Sequence, residues 1–123
     1  MTWELKSDRP IFRQLVEHIQ LMIVSGGYQP GEKLPSVRDL AAEAGVNPNT
    51  MQKALADLEQ SGLVYTQRTS GRYITEDKGM IDRVKNELAR QQIAEFLERM
   101  GQIGFSREET IKLMTEVREE KGQ

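Results

Sequence analysis

With 123 residues, 37% of them hydrophobic and 29% charged, the chain is sized for one packed domain and is not disordered in composition. It has no Cys and one His, which excludes a disulfide scaffold, a thiol nucleophile and a multi-histidine metal centre within one chain; neither metal nor cofactor is expected. The net charge of −2 divides evenly, with 8 basic against 9 acidic residues through Glu76 and 9 against 10 beyond it, which excludes a charged tail.

In chain order, the opening Met1-Thr2-Trp3-Glu4 lacks the basic and apolar regions of a secretory signal. Trp3 to Lys6 alternates and reads as a short strand or extended arm. Asp8-Arg9-Pro10 looks like a helix start, with Asp8 as cap. Phe12, Leu15, Val16, Ile19, Met22 and Ile23 then follow helical spacing until Gly26-Gly27. The longest apolar run, Leu21 to Val24, is far too short to span a bilayer, so no membrane partner is expected.

Ser36 with Asp39 marks the cap of a second, short helix carrying Val37, Leu40, Ala41 and Ala44 and closed by Gly45. Val46 plugs the turn. Asn47 caps a third helix with Pro48 at its first position, and Met51, Ala54, Leu55 and Leu58 supply its apolar face. Past Ser61-Gly62 the period changes: Leu63 to Gln67 and Arg72 to Thr75 read as strands joined by Arg68-Thr69-Ser70-Gly71. Three helices followed by a hairpin with a basic tip describe a winged helix-turn-helix over residues 1–76.

Asp77 to Gly79 reads as a hinge. Residues 77–123 then form a two-helix tail: a long helix bearing Ile81, Val84, Leu88, Phe96, Leu97 and Met100, interrupted by Gly101 and Gly104, and a last helix opened by a Ser106/Glu109 capping box and bearing Ile111, Met114 and Val117. Two such helices cannot enclose a core alone, so their apolar faces must be covered by the first domain, by each other or by a second copy; a homodimer is the economical answer, and these nine apolar residues are its expected surface. The fold class is mainly α with a small β-hairpin wing.

Leu34-Pro35-Ser36-Val37-Arg38-Asp39-Leu40-Ala41 resembles the GntR family of bacterial transcription regulators. Pro30-Gly31, Gly45-Val46, Thr50, Ala54-Leu55, Leu58 and Gly62-Leu63 match its N-terminal domain in order, and Gly45 to Thr50 with the short helical tail is most similar to the YtrA-type branch. The resemblance implies a dimeric repressor that binds a pseudo-palindromic operator in double-stranded DNA, in a branch often associated with membrane transporter genes. It leaves any small-molecule effector open. The sequence departs from the family at the wing tip, which has Gly71 alone, and at the third helix start, where Asn47 and Pro48 replace a common Arg.

A third helix laid in the major groove turns its first residues toward base edges. Asn49, Thr50, Gln52 and Lys53 occupy that face; amides suit adenine, Lys suits guanine and the Thr methyl suits thymine. Arg38 is expected at a phosphate or guanine edge, and Ser36 and Asn47 at helix starts that attract anions. Arg68, Thr69, Ser70, Gly71 and Arg72 form the wing contact. The alternatives are a solvated helix face with a Lys53–Asp57 pair, a surface ion pair for Arg38 and a protein-interaction adapter. An adapter fits poorly because Trp, Tyr and Arg, not amides, dominate protein hot spots. No residues are arranged for acid-base catalysis, so the chain reads as a cytoplasmic non-enzyme.

Overall fold

The computed structural model describes residues 3–117. In chain order they form α1 (Ile11–Val24), α2 (Val37–Ala44), α3 (Pro48–Ser61), β1 (Val64–Gln67), β2 (Gly71–Ile74), α4 (Lys78–Ile103) and α5 (Arg107–Glu116). The two strands pair antiparallel, with Thr66 opposite Arg72 and Tyr65 opposite Tyr73. The chain separates into two compact units, one running up to Lys85 and the other from Asn86 onward.

In the first unit, α3 packs on α1, α2 and β1. Met51, Ala54, Leu55 and Leu58 are completely buried, as are Leu15 and Ile19 of α1, Leu40 of α2, and Leu63 and Ile74 around the hairpin. Positions 51, 54, 55 and 58 share one face at 3.6 residues per turn, so a single stripe anchors the whole of α3. Val46, Trp3, Leu5 and Tyr28 close the edges of this core.

The caps explain the element boundaries. Ser36 Oγ accepts the Asp39 N–H at 3.1 Å, and Asn47 Oδ1 accepts the Asn49 N–H at 2.7 Å. Gly45 ends α2 at φ +72°, a left-handed conformation that costs glycine little. The capping box of Ser106 and Glu109 opens α5 with both reciprocal bonds present.

Three expectations need correction. Asp8 does not cap α1; Pro10 takes the N-cap position with no side-chain bond. Of the two readings of the segment before it, a strand or an arm, no strand forms among the described residues, and Gln14 secures the arm: the Lys6 N–H donates to Gln14 Oε1, while Gln14 Nε2 donates to the Lys6 and Arg9 carbonyls. The segment read as a hinge is a helix start, because Asp77 Oδ1 accepts the Met80 N–H at 3.1 Å and Lys78 and Gly79 are already helical. Gly101 does not interrupt α4, which ends only at Gly104, with φ +110°.

Trp3 stacks on His18 with ring centroids 3.8 Å apart, and burial lowers the His18 pKa below its ordinary 6.5. No helix among the described residues is long and apolar enough to cross a membrane.

The stripe under α3 sets the stability of the first unit. Leu55→Ala is expected to cost about 2–5 kcal/mol, because the walls of a fully packed site relax only partly around the vacated volume. Urea unfolding should show a lower midpoint at unchanged m-value.

Candidate nucleic-acid interface

The buried stripe fixes which residues α3 turns outward. Asn49, Gln52 and Lys53 are exposed and Thr50 is half-buried; the first turn holds no acidic residue. Asn49 with Gln52 and Lys53 at three and four residues on forms one continuous polar surface. Asn47 lies just before it, its Oδ1 engaged in the cap. Neither the Lys53–Asp57 pair nor an ion pair of Arg38 or Arg68 forms among the described residues. These cations remain available to an anionic partner.

The α2–α3 turn holds the two helices in register. The Gly45 and Val46 N–H groups donate to the Ala42 and Ala41 carbonyls at 3.3 and 3.0 Å. Ser36 and Arg38 are exposed at the start of α2. A groove of about 610 Å³ separates them from the hairpin, and its lining brings Ser36 and Arg38 together with Ser70, Gly71, Arg72 and Lys33.

Backbone bonds fasten the hairpin to the segment before α2. The Leu34 N–H donates to the Arg72 carbonyl, and the Ile74 N–H to the Glu32 carbonyl, each at 2.9 Å; Lys33 and Tyr73 form a β-bridge. Arg68, Thr69 and Ser70 are exposed at the tip. Gly71 follows at φ +120°, and a Cβ there would lie 3.1 Å from Lys33 Cε, so backbone and space both favour glycine. On the outer face of the strands Tyr65 stacks with Tyr73 at 5.8 Å, and the Tyr73 hydroxyl donates to Ser70 Oγ at 3.0 Å.

Arg72 sits differently from the other wing residues. Its Nε donates to Glu59 Oε1 at 3.0 Å, and the pair is largely shielded, with side chains 21% and 28% exposed. The Thr66 hydroxyl donates to the other oxygen of the same carboxylate. These bonds, that of Thr66 above all, hold the Glu59 pKa below its ordinary 4.5 against the opposing effect of burial. One side chain of α3 therefore grips both strands of the wing.

Sequence reasoning missed Lys33 and Glu59. Lys33 carries only the weak signal of a cation just before the Leu34-Pro35-Ser36 motif. Glu59 lies thirteen residues from Arg72, a separation at which no local pattern operates. Of the expected dimer residues, Ile81 is buried in the first unit's own core and Val84 packs partly against it. Leu88, Phe96, Leu97 and Met100 are half-buried, whereas Ile111, Met114 and Val117 are exposed. Ile93, Ile103 and Phe105 are exposed as well and were not anticipated. Among the described residues no group of His, Asp or Glu could hold a metal ion.

Three helices, a paired wing and a polar outer face on the third helix define a winged helix-turn-helix, the architecture of DNA-binding regulators. Residues 12–74 match the family described as bacterial regulatory proteins, gntR family. The chain is 36% identical over 109 residues to the HTH-type transcriptional regulator YhcF of Bacillus subtilis, covering 89% of this chain and 90% of that protein. It is 37% identical over 89 residues to the HTH-type transcriptional repressor YtrA of the same organism, covering 68% of each. A GntR family transcriptional regulator from Listeria monocytogenes superposes with a TM-score of 0.83 at 39% identity, over 93% of this chain and all of that one. The DNA-binding domain of AraR, solved in complex with operator ORE1, matches 61% of this chain and 94% of its own at 30% identity and a TM-score of 0.53.

The chain belongs to the GntR family, and within it to the YtrA type. It is a DNA-binding transcriptional regulator and not an enzyme.

The Glu59 tether gives the interface a pH dependence with a definite sign. A carboxylate whose pKa is depressed on folding stabilises the fold above its unfolded value of 4.5, and that contribution disappears as pH falls through the lower folded value. Thermal unfolding across pH should therefore find Glu59→Gln destabilised at neutral pH, with the gap to wild type closing in acid. An unchanged gap would leave the tether without a role in stability.

Proposed function

We propose that the protein is a dimeric repressor that binds an inverted-repeat operator in the cytoplasm, with α3 of each copy in the major groove. The carrying observation is the division of α3: its inner stripe is fully buried, while its outer face presents Asn49, Gln52 and Lys53 with no acid in the first turn. Asn49 and Gln52 read adenine edges, Lys53 a guanine edge and the Thr50 methyl a thymine. Arg38 and Lys33 take phosphates along the groove beside the wing, with Ser36 and Asn47 at helix starts that favour anions. Arg68, Thr69 and Ser70 follow the backbone at the wing tip, and Gly71 shapes the turn.

Repression is supported by the YtrA relative, a transcriptional repressor by name. In line with the habits of that branch, the regulated genes are expected to include a membrane transporter. The second copy is supported by the exposed apolar side chains Ile93, Ile103, Ile111, Met114 and Val117 of the C-terminal unit. Leu88, Phe96, Leu97 and Met100 complete the proposed contact.

Fluorescence titration of the chain's own upstream DNA against a scrambled duplex tests this reading. Gln52→Ala should cost about 1–3 kcal/mol on the operator and relax preference at one position. Arg38→Ala should weaken binding to all sequences alike and make the salt slope shallower by about 1 per copy, with the oligomeric state unchanged. Lys33, Arg38 and Arg68, the phosphate-contacting cations, correspond across two copies to a log-log slope of about −5. Equal affinity for the scrambled duplex, or a slope shallower than about −2, would overturn the proposal.

A further inference from the structure

Arg72 is a cation on the wing that is not free, and the group restraining it belongs to the helix proposed to read bases. Glu59 accepts from Arg72 Nε at 3.0 Å and from the Thr66 hydroxyl. Thr66 and Arg72 are directly paired across the hairpin, so both bonds act at one rung of the ladder. Beyond that rung only Gln67 and Gly71 are paired before the exposed tip begins. The tip is thus a short lever whose base is fixed to α3 by one carboxylate.

We infer that Glu59 is a positioning and specificity-determining residue: it sets the wing against α3 and withholds Arg72 from indiscriminate phosphate binding. The inference rests on the DNA-reading assignment of the α3 face. An acid beside a DNA-binding wing repels phosphate and would lower affinity for any duplex. Its location is therefore informative. Bound to Arg72 it cancels one cation, and through its two bonds it gives the wing a fixed attitude. Nonspecific affinity grows with every freed cation, whereas specific affinity needs wing and helix held in one geometry. A group that lowers the first and supports the second raises the ratio between them.

The test measures, by fluorescence titration at several salt concentrations, the binding of an operator selected from random duplexes with the wild-type protein and of a scrambled duplex. Glu59→Gln keeps the size of the side chain and removes its charge. It is expected to bind the scrambled duplex more tightly, to steepen the salt slope by about 2 per dimer, and to lower the operator-to-scrambled ratio about tenfold, the scale of one charge-assisted hydrogen bond. The exchanged pair Glu59→Arg with Arg72→Glu reinstates the ion pair, because the Thr66 hydroxyl can accept as well as donate. It should return the slope to the wild-type value and recover part of the ratio. A ratio and slope in Glu59→Gln equal to wild type would overturn the inference and leave the DNA assignment standing. So would an exchanged pair no better than Glu59→Gln. Loss of wild-type discrimination itself would instead sink both. Salt slopes are compared only after circular dichroism confirms native helix content; should Glu59→Gln not fold, Arg72→Gln decides, with an unchanged slope expected because Arg72 is withheld from phosphate, and a slope shallower by about 2 per dimer overturning the inference.

Discussion

Everything at the proposed reading face depends on how α3 is held from behind. Met51, Ala54, Leu55 and Leu58 are removed from solvent entirely, against α1, α2 and β1. Met51, Leu55 and Leu58 each contribute about 1.5–3 kcal/mol on burial and Ala54 less, so the stripe anchors the helix without help from its other face. That leaves the outer positions free of structural duty. Asn49, Gln52 and Lys53 need satisfy no neighbour, and a polar surface that the fold does not require is one that a partner can use.

Net charge is a poor guide to such a surface. The chain totals −2, and the acids nearly balance the bases throughout. A phosphate, however, senses charges within about 8–10 Å at physiological salt. Lys33, Arg38 and Arg72 line one groove, joined there by a single acid, Asp39. Glu59, whose charge could oppose DNA, is instead bonded to Arg72 and largely shielded. Neutrality overall and a cationic path locally are compatible because the carboxylates are placed selectively.

What the sequence made legible was whatever local chemistry decides. Ser36, Asn47, Gly45 and the Ser106–Glu109 box each act within a few residues, so α2, α3 and α5 could be placed from spacing alone. The winged helix-turn-helix followed, and so did the polar face of α3. The illegible parts depend on distant pairings. Gln14 holds the arm before α1, and Glu59 reaches across thirteen residues to the wing. Asp77-Lys78-Gly79 misled in the opposite direction: glycine suggested a break, yet the Asp77 cap and the burial of Ile81 outweigh a helix cost of about 1 kcal/mol.

The C-terminal unit poses a different physical problem. Of the 26 residues in α4 only Ile81 is buried, and it lies in the N-terminal unit. In α5 the buried residue is Thr110, its hydroxyl bonded to the Ser106 carbonyl, while Ile111 and Met114 are about half exposed. Helical order in water draws mainly on packing of an apolar face rather than on propensity. A unit with so little covered apolar surface gains stability from whatever covers the rest. With a second copy in that role, as proposed, order in the tail and association become one equilibrium, sensitive to protein concentration in a way that the separately packed winged domain is not.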